Sequence, residues 1–259
     1  IEIIRTTGDQ IQDRPLSEAG GKGLFTKELD SKLIAGAVDF AVHSSKDLPT
    51  HIPAEIIIAG FMPREDPRDA WIGRDGMTIE TLPAGAVVGT ASLRRAAQVK
   101  RRRPDIQTTL LRGNVETRLR KVQSGEIDAT LLALAGLKRL NLAHHATALL
   151  PLDDFPPAAG QGAIGITARA DDAATRAALA PLLDKATAQA LAAERAFLTA
   201  LDGSCRTPIA GLAQIDGDEL SFYGEVLKAD GTQTFVVRRK GRAIDAAMIG
   251  ADAGNEIVL

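Results

Sequence analysis

Three short stretches of the chain carry residue types suited to an anion, and a fourth carries a nucleophile. Gly89-Thr90-Ala91-Ser92-Leu93-Arg94-Arg95 is a small-residue turn that runs into two arginines. A strand ending there, with a helix starting at Leu93, would present backbone N–H groups at the positive helix end. Thr90 and Ser92 add hydroxyls, and Arg94 and Arg95 add forked guanidinium groups that match a carboxylate or phosphate. The plain alternative is a Ser92 N-cap followed by solvated arginines. Arg112-Gly113-Asn114 with Arg118 repeats the same logic, and Lys138-Arg139 is a third basic pair. If each cluster follows a strand of one open sheet, all three converge on the crevice beyond the strand ends.

Ser44-Ser45-Lys46-Asp47 follows the apolar stretch Phe40–Val42. A Lys-Asp pair at a strand end can be a surface ion pair worth little. Facing a cationic crevice, Asp47 would instead stay ionised and attract a developing positive charge. Cys205 is the single cysteine, in Gly203-Ser204-Cys205-Arg206. A lone cysteine is usually a small buried hydrophobe, but a neighbouring cation favours its thiolate. Lys100-Arg101-Arg102-Arg103 complements a negative helix terminus and is expected to be solvated. His144-His145 reads as a surface pair, and His43 as a side chain packed at the end of its strand.

The elements that must hold these residues are legible as periodicity. Apolar positions Leu24, Phe25, Leu29, Leu33 and Ile34 predict a helix over 24–35. Strands are expected at 1–5, 39–43, 55–60, 70–72, 86–89, 107–111, 128–134 and 163–168. Helices are expected at 93–103, 114–125, 136–140, 172–183 and 186–201. Strands alternating with helices imply parallel sheets covered on both faces. The proline- and glycine-rich segment 151–162 reads as a crossover, and 163–168 as a strand returning to the first sheet. Beyond 207 the pattern changes to strands at 208–215, 220–227 and 234–239, joined by tight turns, with a last helix at 244–253. The expected organisation is α/β. Domain 1 takes 1–62 and 163–180, domain 2 takes 68–156 and holds the anion-binding clusters, and a small α+β domain 3 takes 185–259.

Composition narrows the partners. The 259 residues are 45% hydrophobic and 25% charged, an ordinary globular balance that excludes disorder and collagen-like structure. No apolar run reaches the ~18 residues of a membrane span. One cysteine makes no internal disulfide, and with four histidines it builds no Cys-rich zinc site. Aromatics at 3% leave little to stack bases on. The net charge is −2, yet residues 94–139 hold 12 Lys/Arg and 4 Asp/Glu, a balance of +8 that leaves −10 elsewhere. An anionic partner for the middle third follows. The opening has no basic stretch leading into an apolar run, so no signal peptide is expected.

Together these stretches resemble the porphobilinogen deaminase family, also called hydroxymethylbilane synthases. The resemblance runs in order through Gly20-Gly21-Lys22-Gly23-Leu24-Phe25-Thr26-Lys27-Glu28-Leu29, Ala41-Val42-His43-Ser44-Ser45-Lys46-Asp47-Leu48-Pro49 and Arg64-Glu65-Asp66-Pro67-Arg68-Asp69-Ala70. It continues through 89–95, Leu111-Arg112-Gly113-Asn114-Val115, Ala135-Gly136-Leu137-Lys138-Arg139-Leu140, 157–163 and Ala193-Glu194-Arg195-Ala196-Phe197. So many ordered motifs over nearly the whole chain are specific.

The resemblance implies two domains like periplasmic binding proteins around a cleft, with a third domain presenting the cysteine. It implies head-to-tail condensation of four porphobilinogen molecules into hydroxymethylbilane with release of ammonia, in tetrapyrrole and haem biosynthesis. Asp47 would be the catalytic aspartate and Cys205 the thioether anchor of a dipyrromethane cofactor. Lys46, Ser44, Thr90, Ser92, Arg94, Arg95, Arg112 and Gly113 would hold that cofactor. Lys22, Arg118, Arg139 and Gln161 would meet substrate. Every pyrrole carries acetate and propionate, so the growing chain is the anionic partner, and no metal is implied. A cytoplasmic monomer is expected, with neither nucleic acid nor membrane as partner. Two departures stand out: the family's first strand and helix have no counterpart ahead of Ile1, and Glu18 stands where the family often has lysine.

Two other classes would use the same basic window. A two-lobed anion-binding protein needs cations in its cleft but neither Asp47 nor a tethered primer on Cys205. A nucleic-acid binder would show steep salt dependence, and the acidic remainder argues against it.

Overall fold

A computed structural model describes residues 1–11, 23–201 and 207–258. In chain order the elements are α1 (Thr7–Gln10), α2 (Lys27–Ile34), β1 (Phe40–Ser44), β2 (Ile56–Phe61), β3 (Asp69–Gly73), β4 (Val87–Gly89), α3 (Leu93–Arg102), β5 (Gln107–Thr109), α4 (Val115–Gln123), β6 (Ala129–Ala133) and α5 (Leu134–Arg139). They continue as β7 (Ala148–Leu149), β8 (Ile164–Arg169), α6 (Ala173–Leu179), α7 (Lys185–Ala200), β9 (Ile209–Asp216), β10 (Glu219–Leu227), β11 (Thr234–Arg242) and α8 (Ala246–Val258). The architecture is mixed α/β, with three sheets.

The second sheet has the order β5-β4-β6-β3-β7. β4 runs parallel to both β5 and β6, whereas β3 is antiparallel to β6 and β7. The carboxyl ends of β4, β5 and β6 therefore lie side by side. Trp71, Val88, Leu131 and Phe155 fill one face of this sheet, and Ile72, Leu119, Val122 and Leu137 fill the other.

The first sheet has the order β1-β8-β2 and is antiparallel throughout, which corrects the expected parallel arrangement. The reason is where the chain crosses between the sheets. β2 ends at the crossing and β8 begins there, with Met62 N–H donating to Ile164 O at 3.0 Å. A strand that re-enters where its neighbour left must run the other way. Ser44 pairs with Ile164, so β1 also ends at the crossing. Residues 1–5 form no strand, contrary to expectation. Ile1 and Ile3 are exposed, and an extended segment without a neighbouring ladder does not make a strand.

The two crossing segments touch. Glu65 N–H donates to Gly162 O at 3.2 Å, and a Cβ on Gly162 would lie 2.3 Å from Glu65 O. Gly162 also sits at φ +91°, where side chains are rarely tolerated, so only glycine fits both demands.

The third sheet is the antiparallel meander β9-β10-β11, covered by α7 and α8. Its core centres on Phe197 and Phe222, edge to face with centroids 5.1 Å apart. It continues into Leu48, Phe61 and Ala163, so the third unit shares a core with the first. Gly250 allows α8 to press on α7: a Cβ there would meet Ala193 O at 2.0 Å.

Two buried carboxylates tie the third unit down. Glu194 on α7 accepts from Arg64, Gly160 N–H at 2.6 Å and Ala213 N–H at 2.8 Å. Glu225 on β10 accepts from Arg101 at 2.8 Å, Tyr223 at 2.9 Å and Gln98 at 3.4 Å. Arg101 was expected to be solvated, and this tie corrects that reading. The partner arrives on a strand more than a hundred residues later, so no local pattern announces it.

Candidate functional site

The crossing end of the molecule gathers the chemistry. β1 ends at Ser44 and passes into a single tight turn, Ser45–Asp47. Ser45 N–H donates to Ala163 O at 3.0 Å, which fixes that turn to the start of β8. Lys46 and Asp47 remain exposed, as does Ser44. Lys46 is open to solvent yet crowded by protein, as a residue on a cleft floor must be. That crowding and the nearby Arg95 pull its ammonium down to about 8, against the opposing pull of Asp47 and Asp69. Lys46, Asp47, Arg94, Arg95 and Asp69 are thus one electrostatic group drawn from two sheets.

From the second sheet, β4 ends at Gly89 and α3 starts at Leu93, as its sequence predicts. Ser92 caps the helix, its hydroxyl accepting from Arg95 N–H at 3.4 Å. Thr90 is buried, and its hydroxyl accepts from Ser92 N–H at 3.1 Å. Both hydroxyls therefore shape the turn. Arg94 and Arg95 are only 4% and 6% exposed. Their guanidinium groups flank the fully buried Asp69, Arg94 Nη2 donating to Oδ2 at 2.9 Å and Arg95 Nη2 to Oδ1 at 2.7 Å. Arg94 Nη1 donates to Gln98 and to Pro156 O, both at 2.9 Å, and Arg95 Nη1 to Leu131 O at 3.1 Å. Burial alone would push the Asp69 carboxyl up, but the two guanidinium groups outweigh it and hold it well below the usual carboxylate range.

β5 ends at Thr109, and Asn114 caps α4 by accepting from Thr117 N–H at 2.9 Å. Arg118, on the first turn of α4, donates Nε–H to Gly113 O at 2.9 Å. Burial, then the neighbouring Arg95 and Arg112, bring its guanidinium down to about 10. Arg112 reaches across to the first unit and donates to Gly8 O at 3.0 Å and Ile11 O at 2.8 Å. Arg95 therefore links the first two basic clusters, its charge acting on Lys46 and on Arg118 alike.

The third cluster sits at the crossing itself. Arg139 donates to Gly162 O at 2.8 Å, and Lys138 pairs with Glu65 at 2.7 Å. Gln161 is 1% exposed and lies behind the cleft floor, where its amide donates to Pro67 O at 2.7 Å and Asp69 Oδ1 at 2.8 Å. Cys205 and Lys22 lie outside the described residues, as does Glu18.

His43 is buried against Thr167 at 2.9 Å, and burial lowers its imidazole to about 4, so it stays neutral. His144 and His145 line a cavity of about 490 Å3 together with Arg74, Leu119 and Gln123, and none of the predicted site residues borders it. Among the described residues no group of three His, Cys, Asp or Glu could hold a metal ion. No helix there is long and apolar enough to cross a membrane.

Sequence reasoning missed Asp69, Arg64, Glu194 and Glu225. One signal was available for Asp69: a carboxylate opening a strand that otherwise buries Ala70, Trp71 and Ile72 needs a cationic partner.

Comparison with known proteins accounts for nearly the whole chain. Residues 1–177 match the family described as "Porphobilinogen deaminase, dipyromethane cofactor binding domain". Residues 188–258 match "Porphobilinogen deaminase, C-terminal domain". A porphobilinogen deaminase of Nitrobacter hamburgensis is 55% identical over 257 residues, covering 99% of this chain and 81% of that protein. One of Nitrobacter winogradskyi matches to the same extent, 55% over 257 residues. Among solved structures, a YaeC-family lipoprotein from Enterococcus faecalis overlaps 62% of this chain and 77% of its own, at 12% identity and a TM-score of 0.40.

Proposed function

The chain belongs to the porphobilinogen deaminase family, and from that premise we propose that its cleft condenses porphobilinogen molecules head to tail into hydroxymethylbilane, releasing ammonia. The observation that carries the site assignment is an electrostatic meeting at Arg95, beyond β4, whose charge acts both on Lys46 at the end of β1 and on Arg118 beyond β5. We divide the chain into domain 1 (1–62 and 163–180), domain 2 (68–156) and domain 3 (185–259), so that this meeting point is a cleft between the first two.

A dipyrromethane, when bound, supplies the pyrrole carbon from which the chain grows. The residues present fit such a group. Its acetates and propionates need cations, and Lys46, with Asp47 next to it in the chain, and Arg118, with Arg112 near it, are both within reach of the charge on Arg95. The Nε–H groups of Arg94 and Arg95 are buried without a partner and suit further acceptors. Cys205 is assigned as its covalent anchor.

Asp47 is assigned the chemical role. Its exposed carboxylate accepts from a pyrrole N–H and offsets the positive charge that develops on the ring nitrogen as a new carbon–carbon bond forms. Lys46 and Arg118 neutralise the side-chain carboxylates of the ring that Asp47 addresses, and so fix its orientation. Thr90, Ser92 and Gly113 shape the turns that aim these groups, Ser44 borders the same turn as Lys46, and Lys22 and Arg139 are assigned to substrate carboxylates. Gln161 serves this site from behind, through Asp69. We read the protein as a cytoplasmic monomer acting on small anions rather than nucleic acid, a reading the acidic remainder of the chain supports.

The intact mass of the denatured protein tests the reading. An excess of two pyrrole units, absent from Cys205→Ser, is expected along with turnover of porphobilinogen. A bare polypeptide mass with no turnover would overturn it.

A further inference from the structure

We propose that Asp69 is a positioning residue for the pyrrole-carboxylate site, acting through Arg95. The inference rests on the function proposed above and concerns a residue that touches neither substrate nor cofactor. Asp69 opens β3, where the chain leaves the crossing, and its carboxylate is fully buried. Both of its oxygens are used: Oδ2 by Arg94, and Oδ1 by Arg95 and by Gln161. Gln161 comes from the other crossing segment and also donates to Pro67 O, so Asp69 is braced by both crossings at once.

The consequence falls on Arg95. Its Nη2 is held by Asp69 and, at 3.5 Å, by the Gln161 amide oxygen, and its Nη1 by Leu131 O, while its Nε–H is buried without a partner. Asp69 and the β6 carbonyl thus fix the plane of the guanidinium and the direction of that N–H. Among the described residues Arg95 is also the one cation whose charge is felt by both Lys46 and Arg118, so it links the charges of the site. A guanidinium in that position without a buried counter-charge would be repelled by Arg94, Lys46 and Arg118 together. Asp69 removes the repulsion from beneath, on the side away from ligand, and leaves the upper side cationic. An apolar backing would give no such asymmetry.

A positioning role predicts a kinetic signature that a purely structural role lacks. Asp69→Asn keeps the shape and one acceptor oxygen but loses the charge. In the full-length chain, KM for porphobilinogen is expected to rise about tenfold while kcat stays within about threefold, because Asp47 is untouched. The share of chains carrying the two-pyrrole mass should fall in parallel. Gln161→Leu keeps all charges and removes one brace. It should show the same split at about threefold in KM, and it keeps the proposal testable if Asp69→Asn does not fold. Unchanged KM and full primer loading in the folded variants would overturn the proposal, as would a fall in kcat at constant KM. Absence of turnover and of bound pyrrole in the unsubstituted chain would instead overturn the function on which it rests.

Discussion

Two sets of cations, linked through the charge of Arg95, are built from the same residue types and used in opposite ways. Arg94 and Arg95 form the lower layer, buried and closed around Asp69. Lys46, Arg112 and Arg118 form the upper layer, where no carboxylate side chain pairs with Arg112 or Arg118 among the described contacts and the nearest charges are largely alike. The lower layer is arranged for permanence, the upper for exchange. An arginine becomes available to a ligand when the fold withholds a counter-ion from it, and the cost of withholding is repulsion in the unliganded protein. The motif Ser92-Leu93-Arg94-Arg95 reads as a carboxylate clamp, and one carboxylate it holds is the protein's own Asp69.

Substitutions in the two layers should separate cleanly. The largest effect belongs to the exposed acid that follows Lys46 in the chain: Asp47→Ala is expected to lower kcat by about a hundredfold or more with an unchanged thermal midpoint. Turnover at the unsubstituted rate would refute its role. Next comes a buried pair that serves the fold alone. Arg64→Ala strands the fully buried Glu194 and should cost about 3–5 kcal/mol of stability in denaturant unfolding. A loss under about 1 kcal/mol would show the carboxylate re-paired or protonated.

Arg118→Ala tests the upper layer. It should raise KM about tenfold, equivalent to about 1.4 kcal/mol, while leaving stability equal or slightly higher, because like charges part. A marked loss of stability would merge the two layers and break the contrast. Lys46 gives the same distinction through pH. Its ammonium, lowered to about 8, is charged below that pH and neutral above it. Substrate carboxylates favour the charged form, so KM should climb as pH rises through about 8, with proton uptake on binding above it. Lys46→Arg, charged throughout, should flatten that climb. The smallest effect is expected from Lys138→Ala, which removes a half-exposed pair with Glu65 and should shift stability by less than about 1 kcal/mol.

How much of this was legible depends on the range of the signal. The caps at Ser92 and Asn114, the turns of the meander and most strands and helices are local, and the sequence shows them to within a few residues. The convergence of β4 and β5 follows from alternation alone. Strand direction in the first sheet was not legible, because it depends on where the chain re-enters after about a hundred residues. Nor could sequence separate Arg95 from Arg118. Both follow a turn in a basic stretch, and only the arrival of Asp69 from another strand distinguishes them. Arg101 is the same case in the other direction: a residue read as solvated is claimed by Glu225 from the third sheet.

The contact between Glu65 and Gly162 carries a mechanical consequence. Two threads stitched side by side make a spine, as in a bound book. Leaves joined along such a line resist sliding along it and twisting across it, because either would tear the stitch. If the first and second sheets rearrange as a polymer lengthens between them, a single angle describes the motion, and a side chain forced into position 162 should jam it.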